Sequence, residues 1–177
     1  GASHWKREFY IKESIKKALA KFNVQDDDTV LVGDVDEIID PLADFRSEKP
    51  IKAKLRVYTY YLNNLSSEEF WGTLICQYKD IKHTSLNTLR NSLDLRSVGP
   101  YLGWHFTSMG GLDMVQRKLD DSYTIESYNV NLLPGHVERC LRERTDLLNR
   151  PFTFTVDESH WPQYLTMHKD KYKSLLV

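Results

Sequence analysis

Cysteine is scarce in this chain: Cys76 and Cys140 are the only two in 177 residues. Two cysteines cannot form the disulfide framework that staples small secreted domains, and Cys76, set within an apolar run, reads as a buried thiol. No apolar stretch approaches the roughly 20 residues that a membrane-spanning helix needs, and no secretory leader pattern is present. Charge of one sign is missing too. Lys and Arg number 24 against 25 Asp and Glu, a net charge of −1, so nothing draws the whole chain toward nucleic acid or an anionic membrane. No internal repeat, low-complexity tract or linker interrupts the sequence. These absences favour a reducing, cytoplasmic setting and leave no transmembrane segment in the chain.

What is present fits an ordinary globular protein. The length suits one domain with a sizeable core, and the 41% hydrophobic and 28% charged contents are unremarkable for a soluble fold. Gly1-Ala2-Ser3 reads as an expression remnant, leaving residues 4–177 as the domain. Trp5, Trp71, Trp104 and Trp161 are spread along it and serve either as core or as platforms for sugar rings.

The stretch most informative about chemistry is 29–38, Thr-Val-Leu-Val-Gly-Asp-Val-Asp-Glu-Ile. A short apolar run reads as a buried strand, and it delivers Asp34, Asp36 and Glu37 to a sheet edge, where open α/β sheets bind ligands. In extended backbone, residues two apart point the same way. Asp34 and Asp36 would then offer hard oxygen ligands on one side, suited to Mg²⁺ or Mn²⁺ bridging to substrate phosphates. The competing reading is a solvated acidic turn. Val35, Ile38 and Ile39 argue against it, since such a turn has no need of apolar residues.

Around this stretch, the spacing of Ile11, Ile15, Ala18, Leu19 and Phe22 predicts an amphipathic helix over 5–22. Asp40-Pro41 predicts a short helix through Phe45. Alternating β-branched and aromatic residues predict a strand over 52–62 with a hairpin partner at 70–78. Residues 79–100 read as loop with a short strand or helical turn. Gly103-Trp104-His105-Phe106 leads through Gly110-Gly111 into a helix at about 112–119, a passage that favours anions. Helices follow at 125–131 and 135–145, then a strand at 152–156 and a Tyr/Leu-rich helix over 161–176. One mixed α/β domain is the expectation.

Single residues carry paired readings. His105, between two aromatics, is either a structural histidine or a neutral imidazole completing a metal site begun by Asp34 and Asp36. Arg7 and Lys12 either reach a phosphate or sugar acid or form a solvated face. Glu126 is either a general base or a surface acid.

Together these pieces resemble one family. Trp5-x-Arg7-Glu8-x-Tyr10-x-Lys12, Gly33-Asp34-Val35-Asp36-Glu37-Ile38, and Gly103-Trp104-His105-Phe106 with Gly110-Gly111 and Lys118-Leu119 occur in the order found in glycosyltransferase family 17. That is the family of β-1,4-mannosyl-glycoprotein N-acetylglucosaminyltransferases. Trp161-Pro162-Gln163-Tyr164-Leu165 with Lys171-Tyr172 resembles the family's closing segment, so the likeness spans nearly the whole chain.

The resemblance implies a GT-A-like, Rossmann-like mixed sheet flanked by helices. It also implies inverting transfer of a sugar, N-acetylglucosamine being the family's suggestion, from a UDP-sugar to a glycan or glycoconjugate. On that resemblance Asp34 and Asp36 are the Asp-x-Asp motif holding Mn²⁺ or Mg²⁺ against the donor diphosphate, with His105 a further metal or diphosphate ligand. Arg7, Lys12 and Lys118 contact the diphosphate, Trp104 packs on a sugar face, and Glu126 or Glu37 is the base. The likeness starts at the Trp-x-Arg-Glu helix, without the family's preceding segment, so part of the base and ribose pocket is expected to be missing. Thr124 stands where the family usually has a His two residues before the Glu, which points to a different acceptor or base arrangement.

Two other classes compete. A strand ending in Asp-x-Asp also opens haloacid-dehalogenase phosphatases, although Ile38 departs from their Thr or Val and no later Lys and Asp-Asp motif is evident. A non-catalytic carbohydrate- or nucleotide-binding module is the third reading.

Overall fold

The computed structural model describes residues 2–44, 46–121 and 134–177. The chain is mixed α/β, and its residues fall into two compact units, Gly1–Leu55 with Phe70–Gly103, and Arg56–Glu69 with Trp104–Val177.

In the first unit, helix α1 (Ala2–Leu19) leads to strand β1 (Thr29–Val32) and a short strand β2 (Glu37–Ile39). Strand β3 (Ile51–Thr59) begins in this unit, and strand β5 (Phe70–Gln77) pairs antiparallel with both β1 and β3. Two short helices follow, α2 (Tyr78–Lys82) and α3 (Leu86–Asn91). Alternation along β5 sends Leu74 and Cys76 to one apolar cluster, with Val30, Val32, Ile81 and Leu86, and Ile75 to another, with Ala53, Leu55 and Leu102. Ile15 and Leu19 of α1 pack on the first of these, which is why the helix forms against the sheet. The β3–β5 register slips between Lys52, opposite Leu74, and Lys54, opposite Trp71, so β5 carries an extra residue at Gly72-Thr73.

Three sequence expectations are corrected here. The strand at 29–33 is half-buried, not fully buried: Val30 and Val32 point inward while Thr29 and Leu31 are exposed, because β1 pairs with β5 and has one covered face. The helix expected from Asp40 to Phe45 is a turn over its described residues. Leu42 N–H donates to the Asp40 carboxylate and Ala43 N–H to the Asp40 carbonyl, so the Asp caps its own turn. Helix α1 also ends at Leu19 rather than at residue 22, leaving Phe22 exposed.

In the second unit, β3 continues through Tyr58, which pairs with Leu65 of strand β4 (Asn64–Ser66), and β4 pairs antiparallel with strand β7 (Phe154–Val156). Strand β6 (Gly103–Thr107) carries the Trp-His-Phe segment. Helix α4 (Gly111–Asp121) packs on helix α5 (His136–Glu143) around Tyr60, Val115, Leu119, Val137, Cys140 and Leu141. A second cluster joins Tyr58, Leu62, Trp104 and Trp161. The C-terminal helical segment is two pieces: helix α6 (Gln163–Met167), then a 3₁₀ helix (Lys169–Leu175) bent at Tyr172.

Among the described residues no helix is long and apolar enough to cross a membrane.

Candidate functional site

The acidic stretch after β1 is a turn, not a continuation of the strand. Glu37 N–H donates to the Asp34 carbonyl at 3.0 Å, and Val35 at the tip is fully exposed. Asp34 and Asp36 therefore flank a turn tip, and the same-side alternation of extended backbone does not apply to them. The apolar residue between them does not mark a buried loop.

Arg90, on α3, meets this turn. Its Nη1 donates to the Val32 carbonyl at 3.1 Å, and its Nη2 donates to Asp34 Oδ2 at 3.0 Å and to Glu37 Oε1 at 3.4 Å. The short helix that carries it is fixed at its start. Ser85 caps it, and the Glu13 carboxylate of α1 accepts from the Ser85 hydroxyl at 2.6 Å, from Asn87 N–H at 3.0 Å and from the Asn87 amide at 2.9 Å. Buried Leu86 anchors the inner face.

The Glu37 side chain is only 1% exposed. The Thr73 hydroxyl donates to its Oε2 at 2.8 Å. Two glycines make the room it occupies. A Cβ at Gly72 would lie 2.7 Å from Glu37 Oε1, and one at Gly33 would lie 2.9 Å from Oε2 and 2.5 Å from Thr73 Oγ1. Burial raises the Glu37 pKa, against the lowering by Arg90 and by the Thr73 hydrogen bond. Behind it, burial lowers the pKa of Lys52, and the charges of Arg96 and Arg90 lower it further.

A cavity of about 190 Å³ opens beside the turn, walled by Lys12, Asp34, Glu37, Trp71, Asn87 and Arg90. Glu8 also lines it and holds Lys12 in an ion pair at 2.5 Å. Three carboxylates thus face two cations, and each cation is paired within the wall. Trp71 is steadied by an Nε1 hydrogen bond to the Ser97 carbonyl at 3.1 Å and by the Arg96 guanidinium stacked 4.6 Å from its ring centre.

Lys12, Asp34 and Glu37 are therefore brought together at one cavity. Arg7 is exposed on α1, and Asp36 is half-buried on the turn. Trp104, His105 and Lys118 belong to the second unit. Trp104 is 6% exposed within its cluster and donates from Nε1 to the His160 carbonyl at 2.5 Å. His105 is half-buried on β6, and its charge lowers the pKa of Glu68, which burial raises first. Lys118 Nζ donates to Thr107 Oγ1 at 2.7 Å. Glu126 lies outside the described residues.

Sequence reasoning missed Arg90 and the glycine cradle, and it named Trp71 only as one of four tryptophans that serve as core or as sugar platforms. One signal was available for the cradle: Gly72 interrupts an otherwise apolar strand, and glycine inside a strand marks a bulge or a close approach.

Among the described residues no group of three or more His, Cys, Asp or Glu side chains is arranged to hold a metal ion. The turn offers two carboxylates. That is a usual complement for Mg²⁺, which is held through one or two carboxylates with substrate phosphates and water completing the shell. The donors are hard oxygens, and a cation, the Arg90 guanidinium, already lies against Asp34. Carboxylate oxygens are the donor type that Mg²⁺ and Mn²⁺ take. Comparison of the chain with protein-family models, with curated proteins and with solved structures gives no match.

Proposed function

We propose that the protein is a metal-dependent, inverting glycosyltransferase of the family 17 type, with a GT-A-like fold. One observation carries the reading. Two motifs on which the sequence resemblance rests, the Trp-x-Arg-Glu-x-Tyr-x-Lys helix and the Gly-Asp-Val-Asp-Glu-Ile turn, both contribute to the wall of the cavity, through Glu8 and Lys12 and through Asp34 and Glu37. Residues more than 20 positions apart that converge on one hollow are what a binding site requires.

On this reading Asp34 and Asp36 hold Mn²⁺ or Mg²⁺, which supplies Lewis-acid neutralisation of charge on the departing nucleoside diphosphate. Lys12 and Arg90 offer further positive charge to the same group. Trp71 offers an aromatic face. Glu37 and Glu126 are the candidates for the acceptor's base. Burial raises the pKa of Glu37, the direction a general base needs. Arg7 remains in the donor-side assignment carried by the resemblance.

The cavity is smaller than the roughly 300–1,000 Å³ of pockets that enclose a drug-sized ligand, so it takes one ring or one phosphate-sized group of a nucleotide-sugar. Its excess of carboxylate over cation also favours a second reading, a module that binds a neutral sugar ring without turnover.

Calorimetric titration of UDP and UDP-sugars, with Mn²⁺ and then with EDTA, separates the two. The transferase reading expects metal-dependent UDP binding that Asp36→Ala abolishes in a folded protein. Sugar binding that is indifferent to EDTA and to Asp36→Ala would replace it with the module.

A further inference from the structure

We propose that Lys52 is a carbon dioxide site: its ε-amine takes up CO₂ as a carbamate, and the new anion pairs with Arg96. This goes beyond the transferase reading and does not depend on it.

Two cations stand side by side on adjacent backbone. Lys52 N–H donates to the Leu95 carbonyl, and Ser97 N–H donates to the Lys52 carbonyl at 3.0 Å, which makes Lys52 and Arg96 parallel bridge partners. Bridge partners direct their side chains to one face, and like charges side by side across a strand pair repel. The neighbouring cations have partners. Arg90 holds Asp34 and Glu37. Arg96 lies 4.6 Å from the centre of the Trp71 ring, and Lys54 lies over Trp71 and Tyr101 at 5.4 and 5.0 Å. Lys52 differs. It is 8% exposed, and among the described residues its Nζ has neither a hydrogen bond nor an ion pair. Burial lowers its pKa first, then the charges of Arg96 and Arg90, against the opposing charge of Glu37. A desolvated amine beside other cations is an activated nucleophile.

The surroundings select the electrophile. An aldehyde or ketone would leave an iminium, a further cation against two guanidinium groups. An acyl group would leave a neutral amide that pairs with neither. CO₂ leaves an anion. The charges acting on Lys52 are those of Arg96, Arg90 and Glu37, so an ammonium adds to a positive excess that a carbamate cancels. CO₂ is also small and uncharged, which suits a side chain this buried. In the step, the Nζ lone pair forms the N–C bond, one C–O π pair moves onto oxygen, and the nitrogen releases a proton to water. Nothing is oxidised or reduced. Contact with Trp71 engages the face of the Arg96 guanidinium and leaves its in-plane N–H donors for the carbamate oxygens.

The test equilibrates the whole chain with ¹³C-labelled bicarbonate, the source of CO₂, and reads the carbamate carbon by NMR. Wild type is expected to show a carbamate resonance that Lys52→Met removes, methionine keeping an unbranched apolar side chain in the buried position. A carbamate on the chain's terminal amine would persist in that variant and is thereby told apart. Arg96→Gln, at an exposed position, is expected to weaken the Lys52 resonance about tenfold, the factor that one charge-assisted hydrogen bond supplies. A second measurement on wild type fixes carbamates by ethylation with triethyloxonium and locates them by peptide mass spectrometry. Label at Lys52 is expected to exceed that at the exposed Lys21 by about the same factor. Either signal supports the site, and absence of both overturns it. A Lys52 resonance that Arg96→Gln leaves unchanged overturns the pairing. Neither nucleotide nor metal enters these measurements, so no outcome bears on the transferase reading.

Discussion

Arg90 in the first unit and Arg150 in the second each grip two carboxylates, with different outcomes. Arg150 donates from Nη2 and Nε to Asp146, at 2.7 to 3.2 Å, and from Nη1 to Glu68 at 3.1 Å. Asp146 also accepts the backbone N–H groups of Leu148 and Arg150, at 2.9 and 3.0 Å. The backbone thus takes up acceptor capacity that the arginine leaves, and the cluster closes on itself as a staple of the 146–150 loop. The Arg90 cluster has backbone contacts too, from Nη1 to the Val32 carbonyl at 3.1 Å and from the Asp34 backbone to the Glu37 carboxylate. It differs in that its carboxylate partners face a cavity. A charge cluster that saturates itself holds structure, and one that borders open space has capacity left for a ligand.

Removing one carboxylate from each cluster gives the largest expected contrast. Asp146→Ala strands a partly buried guanidinium and two loop amides, and is expected to cost about 3 kcal/mol. Asp34→Ala removes a half-exposed partner and is expected to cost about 1 kcal/mol or less, while abolishing Mn²⁺-dependent UDP binding on the transferase reading. Urea denaturation of the two variants measures both. Equal destabilisation would erase the distinction between staple and site.

The glycine cradle comes next. Gly72→Ala places a methyl 2.7 Å from the Glu37 carboxylate and 2.6 Å from the Phe70 ring, an overpacking expected to cost about 1–3 kcal/mol. In a double-mutant cycle with Glu37→Ala, part of that cost disappears, because half of the clash is with the removed side chain. Additive effects would mean that Gly72 serves the Phe70 contact or the β5 bulge alone.

How much of this was legible in the sequence depends on range. Strands β1, β3, β5 and β6 and helices α1, α4 and α5 follow from local pattern: β1 buries alternate residues, while β5 is an apolar run that feeds a core cluster on each face. The Asp40-Pro41 signal is ambiguous by nature: an Asp that can cap a helix can equally close its own turn, and only packing decides. The acidic turn was visible as chemistry, but its backbone was read as extended because Val35 and Ile38 resemble strand residues. Arg90 was not legible at all. It lies 53 residues beyond Glu37, and no local pattern distinguishes it from a solvated helix arginine.

Acid sensitivity sharpens the second unit's side of the comparison. Burial pushes Asp157 up, but hydrogen bonds from Ser159, Tyr58 and His160, with the His160 charge, outweigh it and hold it at about 2. A carboxyl whose folded pKa lies below its unfolded value of 3.8 stabilises the fold above that value and loses the contribution as pH falls through about 2. Asp146, also lowered despite its burial, has the same sign. Asp157→Asn is therefore expected to flatten the stability profile between about pH 4 and 2, read by urea midpoints at several pH values. An unaltered profile would remove Asp157 from the acid response and leave it to the other lowered carboxyls, Asp146 and Glu158 in this unit and Glu13 in the first.

Val35 offers the smallest effect. It is the apolar residue at the tip of the acidic turn, fully exposed, between the two carboxylates assigned to the metal. Nothing is uncovered by making it polar, so Val35→Ser is expected to change stability by less than about 0.5 kcal/mol and to leave Mn²⁺ affinity alone. On the transferase reading, a valine held out in water between these carboxylates is a surface that a glycan acceptor would cover. If the acceptor buries it, Val35→Ser raises the acceptor KM while stability and Mn²⁺ affinity stay fixed, and the turn then serves both substrates. If all three are unchanged, the first unit's site ends at the carboxylates, and the exposed side chain is incidental to it.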